Sequence, residues 1–148
     1  MRCAVNIKPK LFLRVETIGG EGAYRSDLAE IAGIRDYEYE MGSQKHPCPY
    51  EDAGISKVWR ELDDTAPYIF GFETISHYLN WFLIRSGRDD MNEAGGYLSV
   101  YSVPDTAMFE GQFQAIAHKE SLTLIERLPT NLSKQEYEDK LSELLKCL

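Results

Sequence analysis

The sequence predicts one α+β domain: a mixed, mostly antiparallel sheet packed by about three to four helices. Three observations carry that expectation. Ile75, Tyr78, Leu79, Phe82 and Leu83 recur at helical spacing and form one apolar stripe. Tyr97 to Val103 alternates, with Tyr97, Ser99, Tyr101 and Val103 on one face and Leu98, Val100 and Ser102 on the other, a strand partly apolar on both sides. The chain has 148 residues, enough to bury a core in a single domain, and no repeat, low-complexity run or linker divides it.

Taken in order, residues 1–10 are basic and read as a loose start. Leu11 to Glu16 alternates and predicts the first strand, with Leu11, Leu13 and Val15 on one face and Phe12, Arg14 and Glu16 on the other. Gly19-Gly20-Glu21-Gly22 ends it in a loop. Ser26 is the expected cap of a short helix carrying Leu28, Ile31 and Ala32, and Gly33 ends that helix. Residues 36–64 are weakly patterned. His46-Pro47-Cys48-Pro49 must be irregular, because each proline restricts the residue before it. A short helix is expected around Ile55, Val58, Trp59 and Leu62.

Thr74 caps the central helix, and Trp81 falls off its main stripe. The polar run Arg88 to Asn92 reads as a loop, Gly95-Gly96 reverses the chain, and Pro104 stops the strand that follows. Short strands are predicted at Phe113 to Ala117 and Leu122 to Leu128. Ser133-Lys134-Gln135-Glu136 is a capping box, opening a last helix over 133–148 that carries Tyr137, Leu141, Leu144, Leu145 and Leu148.

Charge is the clearest bulk signal. The net charge is −8, and the segment from Glu16 to Asp64 alone accounts for −7. Such a field repels nucleic acid and favours a basic partner. No window approaches the ~18–20 apolar residues that span a bilayer. The first ten residues lack the apolar core of a secretion signal. Cys3, Cys48 and Cys147 are too scattered for a disulfide framework, so a reducing cytoplasm is the expected setting.

Candidate chemistry is sparse. His46, Cys48, Glu51 and Asp52 have zinc-ligand character, but no second Cys or His pair lies near them, so no metal is expected. His46 and Cys48 sit two apart on a proline-containing segment, which does not make a nucleophile pair. No GxGxxG and no GK[ST] phosphate loop is present. Arg14 lies mid-strand and reads first as a solvent-facing charge, although its planar fork also suits carboxylate or phosphate.

Arg14-Val15-Glu16, Gly22-Ala23-Tyr24, His46-Pro47-Cys48-Pro49 with Glu51-Asp52, Phe70-Gly71-Phe72, Trp81-Phe82 and Gly96 to Val103 follow one another in an order that resembles a family of small bacteriophage and prophage proteins. Gln114 to Ala117 stands for the family's last element, and Ala23 takes the place of its usual proline. The resemblance covers roughly Leu11 to Ala117 and implies a phage accessory role. With the acidic front half, it leads to the expectation of a protein that binds and inhibits a host or defence-system protein, in the manner of an anti-CRISPR or host-takeover inhibitor. Its binding face would comprise Arg14, Tyr24, Glu38, Glu40, His46, Glu51, Asp52, Asp63 and Asp64, its partner would present a basic surface, and neither membrane nor direct nucleic-acid binding is expected.

The chain is more distantly similar to ADP-ribosyltransferases, whose first strand carries an arginine or histidine that grips NAD and whose last carries a catalytic glutamate. That resemblance implies NAD as the ligand, Arg14 as its anchor, and Glu110 or Gln114 near the ribose. The strand of the glutamate motif would read Gln112-Phe113-Gln114. A glutamine cannot stabilise a developing cationic ribose as a carboxylate does, so the alternative is an NAD-binding enzyme or pseudoenzyme.

Overall fold

The computed structural model describes residues 9–33 and 52–148. Two antiparallel three-stranded sheets form its framework. The first has the order β1-β3-β6, from β1 (Pro9–Thr17), β3 (Gly96–Pro104) and β6 (Thr123–Leu128). The second has the order β2-β5-β4, from β2 (Tyr68–Gly71), β5 (Ala115–His118) and β4 (Met108–Glu110). The helices are α1 (Leu28–Ile31), α2 (Ser56–Glu61), α3 (Ile75–Trp81), α4 (Arg85–Glu93) and α5 (Lys134–Lys146). The α+β class is as the periodicities dictate.

Strand β1 is the shared wall. Its alternation sends Leu11, Leu13 and Val15 into the main core with Leu98, Val100, Phe72, Tyr78, Trp81 and Tyr137. Phe12, on the opposite face, packs into a second core with Val103, Met108, Ala115 and Ala117. A strand buried on both faces must satisfy its polar residues internally, and that fixes what Arg14 and Glu16 can do.

One backbone bridge joins the two sheets. Leu13 N–H donates to the Phe72 carbonyl at 2.9 Å, and Phe72 N–H donates to the Leu13 carbonyl at 2.7 Å. Gly71 makes that approach possible, because a Cβ there would run into the Leu13 carbonyl and the Phe12 ring. Beyond this pair β1 and β2 part, and a cleft opens between them.

Several boundaries differ from the expected ones. Strand β1 starts at Pro9, inside the segment expected to be loose, and β5 starts at Ala115 rather than Phe113. Asp27, not Ser26, immediately precedes α1, while the Ser26 hydroxyl donates to the Gly22 carbonyl at 2.8 Å and accepts from the Leu28 N–H at 3.5 Å. The central helix stops at Trp81, which is buried, while Leu83 is exposed. The polar run expected to be a loop forms α4, anchored by buried Gly87 and Met91. Leu145 and Leu148 of the last predicted stripe are exposed, and Tyr137 is what α5 buries. The expected caps at Thr74 and Ser133 are both made.

Candidate functional site

The cleft has a volume of about 610 Å³ and is bounded by β1, the loop 19–25, β2 and the end of α3. Arg14 lies at the split between the sheets. Its Nε donates to Glu16 Oε2 at 3.1 Å, and its Nη1 donates to the Phe70 carbonyl at 3.1 Å. The side chain therefore bridges the gap that β1 and β2 leave open. It is only 13% exposed, not the solvent-facing strand charge expected. A cation buried to that degree needs a partner, and Glu16, also on the Phe12 face and two residues on, supplies it.

Glu16 is itself buried, and its second oxygen accepts from the Tyr101 hydroxyl on β3. Burial, and then that hydrogen bond, push the Tyr101 hydroxyl up to about 12. The loop after β1 folds back so that Glu16 bridges Gly22. Gly22 gives the guanidinium its room: a Cβ there would come within 2.6 Å of Arg14 Nη2 and push the end of that side chain aside.

One wall of the cleft is aromatic. Trp81 Nε1 donates to the Tyr24 hydroxyl at 2.8 Å, and Phe70, Phe72, Tyr68 and Phe82 complete it. Gln114, 97% buried, lines the same cleft just before β5. The turn that delivers it is tied by Asp52, whose carboxylate accepts from the backbone N–H groups of Gln112 at 2.6 Å and Phe113 at 3.0 Å. Among the described residues Arg14, Arg25 and Lys119 line the cleft with one acid, Glu21, and Glu16 lies behind Arg14. In a chain of net charge −8 that is a local concentration of positive charge suited to an anion.

The residues expected to act together do not all come together. Arg14, Tyr24 and Gln114 share the cleft. Asp52 is buried in its turn, which withdraws it from the surface where a docking face would need it, whereas Asp63 and Asp64 are exposed. Glu110 does not line the cleft: it pairs with Lys10, which raises the lysine's pKa, and it lies beside Glu73, whose carboxyl is raised mainly by burial. Glu38, Glu40, His46, Cys48 and Glu51 lie outside the described residues. Among the described residues no cluster of three or more His, Cys, Asp or Glu is placed to hold a metal, and no helix is long and apolar enough to cross a membrane.

Glu16, Gly22 and Trp81 stood in the sequence only as motif residues of the phage-family resemblance, with no role at a site, and Arg25 and Lys119 stood in no motif. The spacing Arg14-x-Glu16 on a strand was the available signal for the first, since it puts both on one face. Nothing in the local pattern marked Gly22 as the residue under the guanidinium.

A family model described as Bacteriophage T4 Y00F protein matches residues 8–131. No curated protein and no solved structure matches the chain. The matched span takes in β1, the cleft and β6, and stops just before α5.

Proposed function

The chain belongs to the Bacteriophage T4 Y00F protein family, a phage protein family, and from that premise we propose that its cleft binds NAD or a closely related dinucleotide. The observation that carries this reading is that Arg14 and Gln114, one hundred residues apart in sequence, line one cleft together with Tyr24 and Trp81. The volume of about 610 Å³ falls within the roughly 300–1,000 Å³ of small-ligand pockets. The division of labour follows from the chemistry of the groups. The Arg14 fork takes the pyrophosphate, where a bidentate, charge-assisted contact is strongest. The aromatic wall stacks a planar base. Gln114 hydrogen-bonds the ribose.

Gln114 also sets the limit on turnover. Breaking the nicotinamide–ribose bond builds positive charge on the sugar, and a carboxylate stabilises that charge. A neutral amide holds the ribose without doing so. We therefore assign binding rather than rapid cleavage, a pseudoenzyme in the phage accessory repertoire. Calorimetry and thermal unfolding with millimolar NAD test this. Heat and an upward shift in Tm are expected. Arg14→Ala should weaken binding about tenfold or more, since hydrogen bonds to charged groups contribute ~1.5–3 kcal/mol each. Neither heat nor shift with the wild-type protein overturns the proposal.

A second reading, inhibition of a host or defence-system protein through an acidic surface, is favoured by the net charge of −8 and by the exposed carboxylates of Glu61, Asp63 and Asp64. It loses Glu16 and Asp52, both buried. Pull-down of a partner from bacterial lysate at low and high salt tests it. Capture that ignores salt argues against electrostatic docking.

A further inference from the structure

An arginine that grips a phosphate must present a fixed edge of its fork, and Arg14 is pinned on its other edge. Its Nε faces Glu16 Oε2 at 3.1 Å, and one Nη1 hydrogen goes to the Phe70 carbonyl at 3.1 Å. Glu16 in turn is held by the Tyr101 hydroxyl. These bonds fix the plane of the guanidinium. Among the described residues no protein acceptor meets Nη2, which lies over Gly22 at the cleft wall.

We propose that Glu16, locked from behind by Tyr101, is a positioning residue that aims the Arg14 fork so that its remaining N–H groups grip the phosphate oxygens of a dinucleotide in the cleft. This rests on the dinucleotide reading of the site. Glu16 touches no ligand; its effect passes through the Nε–H of Arg14. Tyr101 fixes the carboxylate from β3, and Gly22 leaves room for the fork in the one orientation that Glu16 allows. A lysine at position 14 would keep the charge but lose both the fork and the Nε–H, so the contribution of Glu16 would vanish with it.

The experiment is a double-mutant cycle on NAD affinity, measured by calorimetry on wild type, Glu16→Gln, Arg14→Lys and the double variant, with Tyr101→Phe and Gly22→Ala alongside. Glu16→Gln should weaken NAD about tenfold, the low end of what losing an outer-shell partner costs a ligating side chain. In the Arg14→Lys background the same change should alter affinity by less than about twofold, because coupled residues are non-additive. Tyr101→Phe should reproduce part of the loss. Gly22→Ala should reproduce it, since its Cβ would push the Arg14 guanidinium away from Glu16. These last two variants carry the test if Glu16→Gln fails to fold. Equal losses in both backgrounds, or wild-type affinity in Glu16→Gln, Tyr101→Phe and Gly22→Ala, overturn the inference. If NAD binds and Arg14→Lys weakens it while Glu16→Gln does not, the positioning role alone falls. If the wild-type protein binds no NAD, the dinucleotide reading falls and this inference with it.

Discussion

Asp52 shows how far a residue's chemistry depends on where the chain takes it. In sequence it is one acid among twelve between Glu16 and Asp64 and reads as part of a charged surface. In the fold it is fully buried and accepts from the N–H groups of Gly54, Gln112 and Phe113. Gly111 is packed so closely that a Cβ there would fall 2.6 Å from the carboxylate. Asp52→Asn keeps the shape but turns one acceptor into a donor that faces a donor. The stability loss should be ~2 kcal/mol, the cost of a buried polar group left unsatisfied, read as a lower urea midpoint at constant m. NAD affinity should fall as well, because the loosened turn carries Gln114. An unchanged midpoint would show that the turn holds itself. Arg14 and Glu16 differ from Asp52 in legibility. Their shared strand face was readable from spacing, whereas the tie between Asp52 and residues 112–113 joins segments sixty positions apart and leaves no local trace.

At the scale of elements, Gly87 sets two effects against each other. Replacing a helical glycine with alanine ordinarily stabilises by about 1 kcal/mol. Here the added Cβ would run into the backbone carbonyl of Ala32, where α4 crosses the end of α1. A backbone atom cannot swing aside as a side chain can, so overpacking wins, and Gly87→Ala should cost a net ~1–2 kcal/mol in denaturant unfolding. A gain in stability would mean that the two helices are not held together. The same crossing explains why α4 was not legible. Its residues, Arg85 to Glu93, are mostly polar, and its buried face within that span is only Gly87 and Met91. What makes them helical is tertiary: buried Gly87 against Ala32, buried Met91 in the core, and the Thr130 hydroxyl donating to the Arg88 carbonyl at 2.6 Å. By contrast α5 was legible from its first turn. The Ser133–Glu136 capping box is a local device, formed by residues three apart whatever lies around them. Strands β1 and β3 were legible because each keeps one face apolar at the two-residue period of a strand, Leu11, Leu13 and Val15 on β1 and Leu98 and Val100 on β3. The cleft between β1 and β2 was not, because it depends on a single pairing of Leu13 with Phe72.

Three tyrosine hydroxyls, those of fully buried Tyr78 and Tyr137 and of half-buried Tyr101, join those elements into one molecule. Tyr78 on α3 donates to the Thr130 carbonyl at 2.7 Å, Tyr137 on α5 donates to the Pro129 carbonyl, and Tyr101 on β3 donates to Glu16 on β1. Burial is the largest cause of the raised pKa of each, with Tyr101 and Tyr137 reaching about 12 and Tyr78 well above its ordinary value. The sign of the consequence follows from proton counting. A tyrosine with a raised folded pKa keeps its proton above pH 10, where the unfolded chain has begun to lose it. The unfolded state then binds fewer protons, so stability falls as pH rises. The window opens near the ordinary value of about 10 and closes, for Tyr101 and Tyr137, near 12. Within it Tyr78 and Tyr137, both fully buried, should each remove up to about 1.4 kcal/mol per pH unit. Titration followed at 295 nm, with circular dichroism on the same samples, tests this. At least three of the nine tyrosines should ionise late, together with loss of the dichroic signal, and the urea-unfolded chain should titrate as one class near pH 10. Titration of all nine near pH 10 with the signal intact would show that these hydroxyls do not bind the helices and the first sheet into a single cooperative unit.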